Sequence, residues 1–286
     1  MKFRSHCRNI ADKVKRAFQG YRAIAKANWG IRNKQLAQMY KAIFVPMITY
    51  GAGAWAKGIT KTDLGKLVTA QRAALTIVTR AYCTTSTPAL LVIAGVAPIE
   101  YELQKEFLRH ATRSGQTVRI GNAEYNPASA DAEQQMVGLE DSQNQLWQQT
   151  WESDTRGRTT FEFFPSITKR QQADWVEPTY YLTQYLCGHG NFRSKLRKFS
   201  LTKNKNCQCG REDTPYHTFF ECGRFQDSRD IFRREVEGVG VRWPPTWAQT
   251  VAKNVMPKTV TFVNKVLKNK ELWDKGRWRC SFLLYI

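Results

Sequence analysis

Apolar side chains recur at intervals of three and four along most of this chain, and that interval predicts helices. Ile10, Val14, Ala17, Phe18, Tyr21 and Ile24 share one helix face. Leu36, Tyr40, Ile43, Phe44 and Met47 form a second, which Pro46 is expected to kink or end ahead of Gly51 and Gly53. Leu64, Leu67, Val68, Leu75 and Val78 mark a third. A short, well-punctuated helix follows: Thr87 fits the N-cap, Pro88 the first turn and Gly95 the left-handed stop. Pro98 opens the next, with Tyr101, Leu103 and Leu108 on its face. Met136, Leu139, Leu146 and Trp147 indicate another, and Tyr181, Leu182, Tyr185 and Leu186 lead into a Gly188-His189-Gly190 turn between two helices. Strand-like alternation is weak everywhere, so the expectation is a mainly α protein.

Composition narrows the partners. The chain has 286 residues, 42% of them hydrophobic, enough for a folded core. Lys and Arg total 44 against 24 Asp and Glu, a formal charge of +20. Such an excess favours polyanions, nucleic acid before an anionic membrane surface. No apolar run reaches the roughly 18 residues of a membrane span, and no apolar signal segment follows the basic start. Seven Cys in a chain of this kind argue against a disulfide framework and for a reducing compartment, cytosol or nucleus.

Charge is unevenly spread. Residues 1–50 carry eleven Lys/Arg and one acid, Asp12. Residues 121–155 hold only acids: Glu124, Asp131, Glu133, Glu140, Asp141, Glu152 and Asp154. With Gly121, Asn122, Asn126 and Pro127 in it, the beginning of this stretch reads as a linker. Basic character returns at Arg193, Lys195, Arg197, Lys198, Lys203 and Lys205. Phe192 and Phe199 are interleaved with these cations, an arrangement that suits a phosphate backbone with unpaired bases on aromatic faces. Taken singly, each Phe reads as a core residue. On the first helix Arg8, Lys13, Lys15, Arg16, Arg22 and Lys26 form a second candidate contact set on its polar side.

One cluster points to a metal. Cys207, Cys209, His217 and Cys222 follow the pattern C-x-C-x7-H-x4-C, and Gly210 supplies a tight turn after the second Cys. Three thiolates and an imidazole are the donors of closed tetrahedral zinc sites, so structural zinc is the expected cofactor. The competing reading is three separate buried Cys and one surface His. Against it, three of the seven Cys and one of the four His fall within this one span. The C-x-C gap is tighter than usual for such sites. Cys7, Cys83, Cys187 and Cys280 read as small buried hydrophobes.

Catalytic constellations are hard to find. Two-metal phosphoryl-transfer sites need several convergent carboxylates. The chain has no Asp-Asp pair, and Glu140-Asp141 and Glu212-Asp213 lie in polar settings that read as exposed. There is no phosphate-binding G-x-x-x-x-G-K-[ST] loop and no G-x-S-x-G elbow. His189 is a conceivable base without a matching nucleophile.

An ordered set of segments carries a family resemblance: Trp29-Gly30, the stretch Tyr40 to Trp55, Gln71-Arg72-Ala73, Ala81 to Glu100, Trp151 to Arg158, Tyr180 to Leu201, and the CQCG…H…EC cluster followed by Arg224-Phe225. Across about residues 5–240 the chain resembles the C-terminal part of the reverse-transcriptase polyprotein of insect non-long-terminal-repeat retrotransposons, in particular the type-1 elements that insert in ribosomal DNA. The resemblance implies that residues 1–120 are a helical, thumb-like region that grips a template–primer duplex. Residues 121–155 would be an acidic linker and helix. Residues 156–240 would be a basic helical segment with the zinc-knuckle-like motif, stabilised by its metal, and 241–286 a helical tail. Gly276 to Ile286 departs from the charged ending usual in the family.

The implied partners are template RNA or target DNA and the rest of the polyprotein, with no membrane, in nucleus and cytoplasm. The catalytic Asp residues of the family's polymerase match nothing in this sequence, so the chain alone is not expected to polymerise. A rival from another class is a zinc-stabilised protein-interaction module whose charge serves solubility.

Overall fold

A computed structural model describes residues 3–25, 30–126 and 131–275. Lys26, Trp29, Cys280 and the ending from Gly276 to Ile286 lie outside the described residues. The first long helix, α1 (Arg4–Ile24), buries Cys7, Ala11, Val14 and Phe18, the three-and-four spacing expected of one face. Helix α2 (Asn33–Met39) continues through a π-helical turn (Tyr40–Phe44) into α3 (Val45–Thr49). Pro46 therefore neither ends nor breaks this segment. The wider turn just before it, in which the Val45 amide donates to Tyr40 O, lets the chain continue past a residue that has no N–H. Next come α4 (Ala52–Trp55), a 3-10 turn (Ala56–Gly58) and α5 (Lys61–Val78), whose N-cap Thr60 accepts from the Asp63 amide.

Helix α6 (Thr87–Ala94) ends at Gly95, φ +67°, as the sequence indicates. Its N-cap is Ser86, not Thr87; the Thr87 hydroxyl instead accepts a bond from Arg72, which also reaches Cys83 O. Helix α7 (Ile99–Arg113) starts after Pro98. A two-stranded antiparallel hairpin follows, β1 (Val118–Ile120) with β2 (Ala123–Tyr125). Ile120 pairs with Ala123 across Gly121-Asn122, and Gly121 has φ +61°. A positive φ at the first turn residue suits the right-handed twist of the two strands. The first acidic residue of the charge-reversed stretch, Glu124, thus lies in a strand.

Helix α8 (Ala132–Ser153) buries Leu139, Trp147 and Trp151, whereas Leu146 is exposed. Short helices α9 (Arg158–Phe163) and α10 (Ile167–Gln172) precede α11 (Tyr180–Cys187), which ends at Gly188 with φ +63°. Helix α12 (Arg193–Lys198) carries the first four cations of the second basic run, and Lys203 and Lys205 follow in the loop after it. The chain then passes through a π turn (His217–Glu221) and a 3-10 turn (Gly223–Phe225) into α13 (Gln226–Glu237), α14 (Trp247–Thr250) and α15 (Met256–Lys275).

Apart from the hairpin, the described residues form a helical protein. Helix α1 packs along α5, α4 and α8 against α7, α13 and α11 against α15, and α9 against α11. One hydrophobic core runs from Cys7 to Leu267, and a smaller cluster of Leu108, Ala111, Val118, Tyr125 and Leu139 sits beneath the hairpin. Buried polar groups staple the helices. Gln71 donates to Tyr40 OH and Ala97 O while its oxygen accepts from the Ile99 amide, joining α5 to two other segments. The Arg170 guanidinium donates to Ala173 O and Ile93 O within the core; burial pulls its pKa down to about 10, which leaves it charged at neutral pH. No described helix is long and apolar enough to cross a membrane.

Candidate metal centre and basic surface

Two separated pieces of chain bring the Cys/His cluster together. Cys207 and Cys209 sit on a tight turn closed by Gly210 N donating to Cys207 O (3.0 Å) and Cys207 N donating to Arg211 O (2.7 Å). Gly210 has φ +91°, a conformation a side chain would strain. His217 opens the π turn and Cys222 ends it, with Cys222 N donating to His217 O at 2.7 Å. The donor atoms of Cys207, Cys209, His217 and Cys222 all lie within 4.8 Å of one another. Cys207 Sγ and Cys222 Sγ are 3.8 Å apart, and Cys209 Sγ is 3.1 Å from His217 Nε2.

The 3.8 Å between Cys207 Sγ and Cys222 Sγ fits two donors of one tetrahedral ion. Metal–sulfur bonds of about 2.3 Å at tetrahedral angles put neighbouring sulfurs roughly 3.8 Å apart. The second ring nitrogen, His217 Nδ1, faces Glu221 Oε2 at 3.4 Å, the outer carboxylate that fixes a ligating imidazole. Arg224 points a guanidinium N–H at Cys207 Sγ, 3.6 Å away, and lies over the Trp273 ring at 4.3 Å. Burial opposes ionisation of Cys207, but the Cys209 amide, His217 and Arg224 outweigh it and hold this thiol below its ordinary range. Cys222 is pushed up, by burial and by the charge of Cys207. Cys207, His217 and Cys222 are buried and Cys209 is exposed. The group is able to hold a metal ion.

Asp213 was missed as a site residue by sequence reasoning, and the exposed setting expected of it is wrong. Its side chain is fully buried. Asp213 Oδ2 accepts from the Arg193 amide at 3.0 Å and from Lys270 Nζ at 2.7 Å, and Oδ1 accepts from Thr218 Oγ1 at 3.0 Å. Its carbonyl accepts from the Ser194 amide and hydroxyl, and its amide donates to Lys205 O. One residue thus joins the start of α12, the His-bearing π turn and α15 through its carboxylate, and the chain before the first Cys through its amide. Lys270, equally unforeseen, is 57 residues away in sequence.

The basic candidates fall in two groups. Arg8, Lys13, Arg16 and Arg22 are exposed on α1 and Lys15 is half-buried, all off the face that packs on α5. In the second group Arg197, Lys198, Lys203 and Lys205 are exposed, while Arg193 and Lys195 are half-buried. Arg193 donates to Asn206 O, Lys195 lies over the Phe199 ring, and Lys205 pairs with Glu212. Phe192 is a core residue as expected, but Phe199 is 42% exposed.

His189 does not resemble a catalytic base. Burial, with Lys195 nearby, lowers its pKa to about 4, and its Nδ1 lies 2.9 Å from Cys187 O. The pKa of the neighbouring Cys187 thiol is raised by burial to about 11, which disfavours the thiolate at neutral pH. Cys7 and Cys187 are buried as expected, whereas Cys83 is exposed because it sits in the loop after α5.

Fold and site together define a helical protein with a Cys3His cluster able to hold a metal ion and basic surfaces beside it and on α1. No protein-family model matches the chain, and no solved structure matches it. Curated relatives do. The chain is 32% identical over 236 residues to the Retrovirus-related Pol polyprotein from type-1 retrotransposable element R1 4 of Nasonia vitripennis, covering 82% of this chain and 60% of that protein. It is 28% identical over 245 residues to the R1 Pol polyprotein of Bradysia coprophila, covering 81% of this chain and 23% of that protein. It is also 25% identical to the Putative 115 kDa protein in type-1 retrotransposable element R1DM of Drosophila melanogaster, of which it spans 24%. The chain is thus similar to part of the Pol polyproteins of R1-type retrotransposable elements, and it spans between about a quarter and three fifths of these relatives' lengths.

Proposed function

We propose that this chain is a nucleic-acid-binding portion of a retrotransposon Pol polyprotein, holding template RNA or target DNA mainly through phosphates. The zinc ion expected at Cys207, Cys209, His217 and Cys222 is structural, and the thumb-like helices of residues 1–120 supply a second contact surface. The observation that carries this reading is the tie between metal cluster and cations. Asp213, between the second and third metal ligands, fixes the start of α12 and the chain at Lys205. The metal-organised turn thereby presents Arg197, Lys198 and Lys203 on the outside. Tetrahedral zinc is supported by a donor set of three sulfurs and one imidazole nitrogen and by the 3.8 Å sulfur spacing. Polymerisation itself belongs to the polyprotein as a whole in this reading.

Charge reversal tests it. Arg197→Glu with Lys198→Glu, both on an exposed helix surface, is expected to weaken binding to RNA and to DNA by roughly tenfold at moderate salt, irrespective of sequence. Thermal stability should stay within a degree or two of the parent, because neither side chain is buried. Fluorescence anisotropy with labelled oligonucleotides reads the affinity. Unchanged affinity in the double variant would remove α12 from the interface. Tight binding of a protein partner, together with no binding of either nucleic acid, would favour the interaction-module alternative.

A further inference from the structure

The start of α2, the end of α5, α11 and α15 enclose an open recess of about 670 Å³. That size falls within the range of small-ligand sites, roughly 300–1,000 Å³. Four cations from three distant parts of the chain line it, Arg32, Arg80, Lys265 and Lys268, against one carboxylate, Glu177. Among the described residues Arg32, Lys265 and Lys268 form no ion pair. None of the four belongs to the two basic groups already described, and their convergence is invisible in sequence.

Two further observations point to a ligand. The wall holds Tyr180 and Tyr181, whose ring centroids lie 5.1 Å apart. Both hydroxyls are tethered: Tyr180 OH lies 2.9 Å from Tyr82 OH, and Tyr181 OH donates to Glu271 at 2.9 Å, so the rings are fixed before anything binds. At the end of α5, Arg80 adopts φ +53°, a left-handed conformation in which glycine is usual and a side chain costs about 1 kcal/mol. Its guanidinium donates to Ile31 O at 2.6 Å, across to the segment that opens α2. A conformation that glycine would adopt more easily is thus occupied by a residue that delivers a cation to the recess.

A phosphate alone would use the cations and leave the rings unexplained. A duplex carries its phosphates on a convex outer surface and keeps its base faces stacked inside. Only an unpaired nucleotide brings a phosphate and a bare base face into one concavity. We propose that this recess holds an unpaired nucleotide of a nucleic-acid strand, with the phosphate on Arg32, Arg80, Lys265 and Lys268 and the base against the Tyr180–Tyr181 wall. The inference rests on the nucleic-acid reading above and adds to it a single-strand site apart from α1 and α12.

The test uses the full zinc-loaded chain, a labelled oligouridine, and a blunt RNA duplex with the same number of phosphates. Two variants are compared with the parent: Lys265→Gln with Lys268→Gln, both exposed, and Arg80→Gly, which suits the left-handed backbone and removes only the side chain. Each is expected to weaken oligouridine binding by about tenfold and duplex binding by less than about threefold. Photocrosslinking of 4-thiouridine-substituted oligomer should map to Tyr180 or Tyr181. Equal losses on both probes, or no loss on either while the parent binds both, would overturn the recess and leave the broader reading standing. A parent that binds neither probe would overturn both together.

Discussion

Replacing Cys209 with Ser, or His217 with Ala, is expected to empty the metal site and loosen residues 200–225. Asp213 and Phe219 anchor the later part of this segment in the core, but little besides the metal holds its first part. Leu201 is 49% exposed, and Lys203, Asn204 and Lys205 are exposed, so the loop ahead of the cluster buries almost nothing. The turn itself rests on the two backbone bonds between Cys207 and residues 210–211. In small zinc modules the metal contributes about 10–16 kcal/mol of apparent binding energy, which appears as folding energy. Metal content should fall from about one ion per chain to near zero, measured by mass spectrometry of the purified protein. Amide exchange across 200–225 should quicken by at least ~tenfold, while α1, α5 and α7, held by their own core, keep their protection. Equal metal content in variant and parent would refute the ligand assignment.

Asp213→Ala should be the most damaging substitution away from the ligands, at about 3–5 kcal/mol. Lys270 and Asp213 are only 3% and 0% exposed, so removing the carboxylate strands an ammonium in the interior. Asp274, 3.7 Å from Lys270, offers a more distant partner and keeps the cost from being larger. Two further donors, the Arg193 amide and the Thr218 hydroxyl, lose their acceptor as well. Asp213→Asn keeps one acceptor oxygen, enough for one of these two donors, and should cost less. Combining Asp213→Ala with Lys270→Met should cost less than the sum of the two single changes, since the second removes the stranded charge. Urea unfolding of the zinc-loaded chain measures all four. A loss below about 1 kcal/mol for Asp213→Ala would mean that the pair does not organise this part of the fold.

The sequence makes the helices legible because their buried faces obey one local rule. On α1 the periodic residues Val14 and Phe18 are fully buried, and the alternation of core and cation follows from a 3.6-residue turn. The four ligand positions were legible for the same reason of locality: they lie in one short span with a distinctive chemistry. What escaped depends on distance or on short elements. Strands of three residues are too brief for alternation to register, so the Gly121-Asn122 turn reads as part of a linker rather than a hairpin. Of the kink or stop expected at Pro46 the stop is absent, because the π turn just before it carries the helix past the proline. Asp213 reads as exposed beside Glu212, since nothing nearby announces Lys270. The cations of the recess come from three distant segments, and only packing of α11 against α15 and of α2 against α5 brings them together. Phe199 stays partly outside because Lys195 and His189 pack against its ring instead of the core.

The salt dependence of nucleic-acid affinity tests the account most directly. If the cations on α1, α12 and the adjoining chain neutralise at least five phosphates, the logarithm of the association constant falls linearly with the logarithm of salt, with a slope of about −4.5 or steeper on a duplex and about −3.5 or steeper on a single strand. A zinc-loaded chain that binds RNA or DNA with that slope is what the account predicts. A flat dependence, or a slope near −1, would contradict binding through these surfaces.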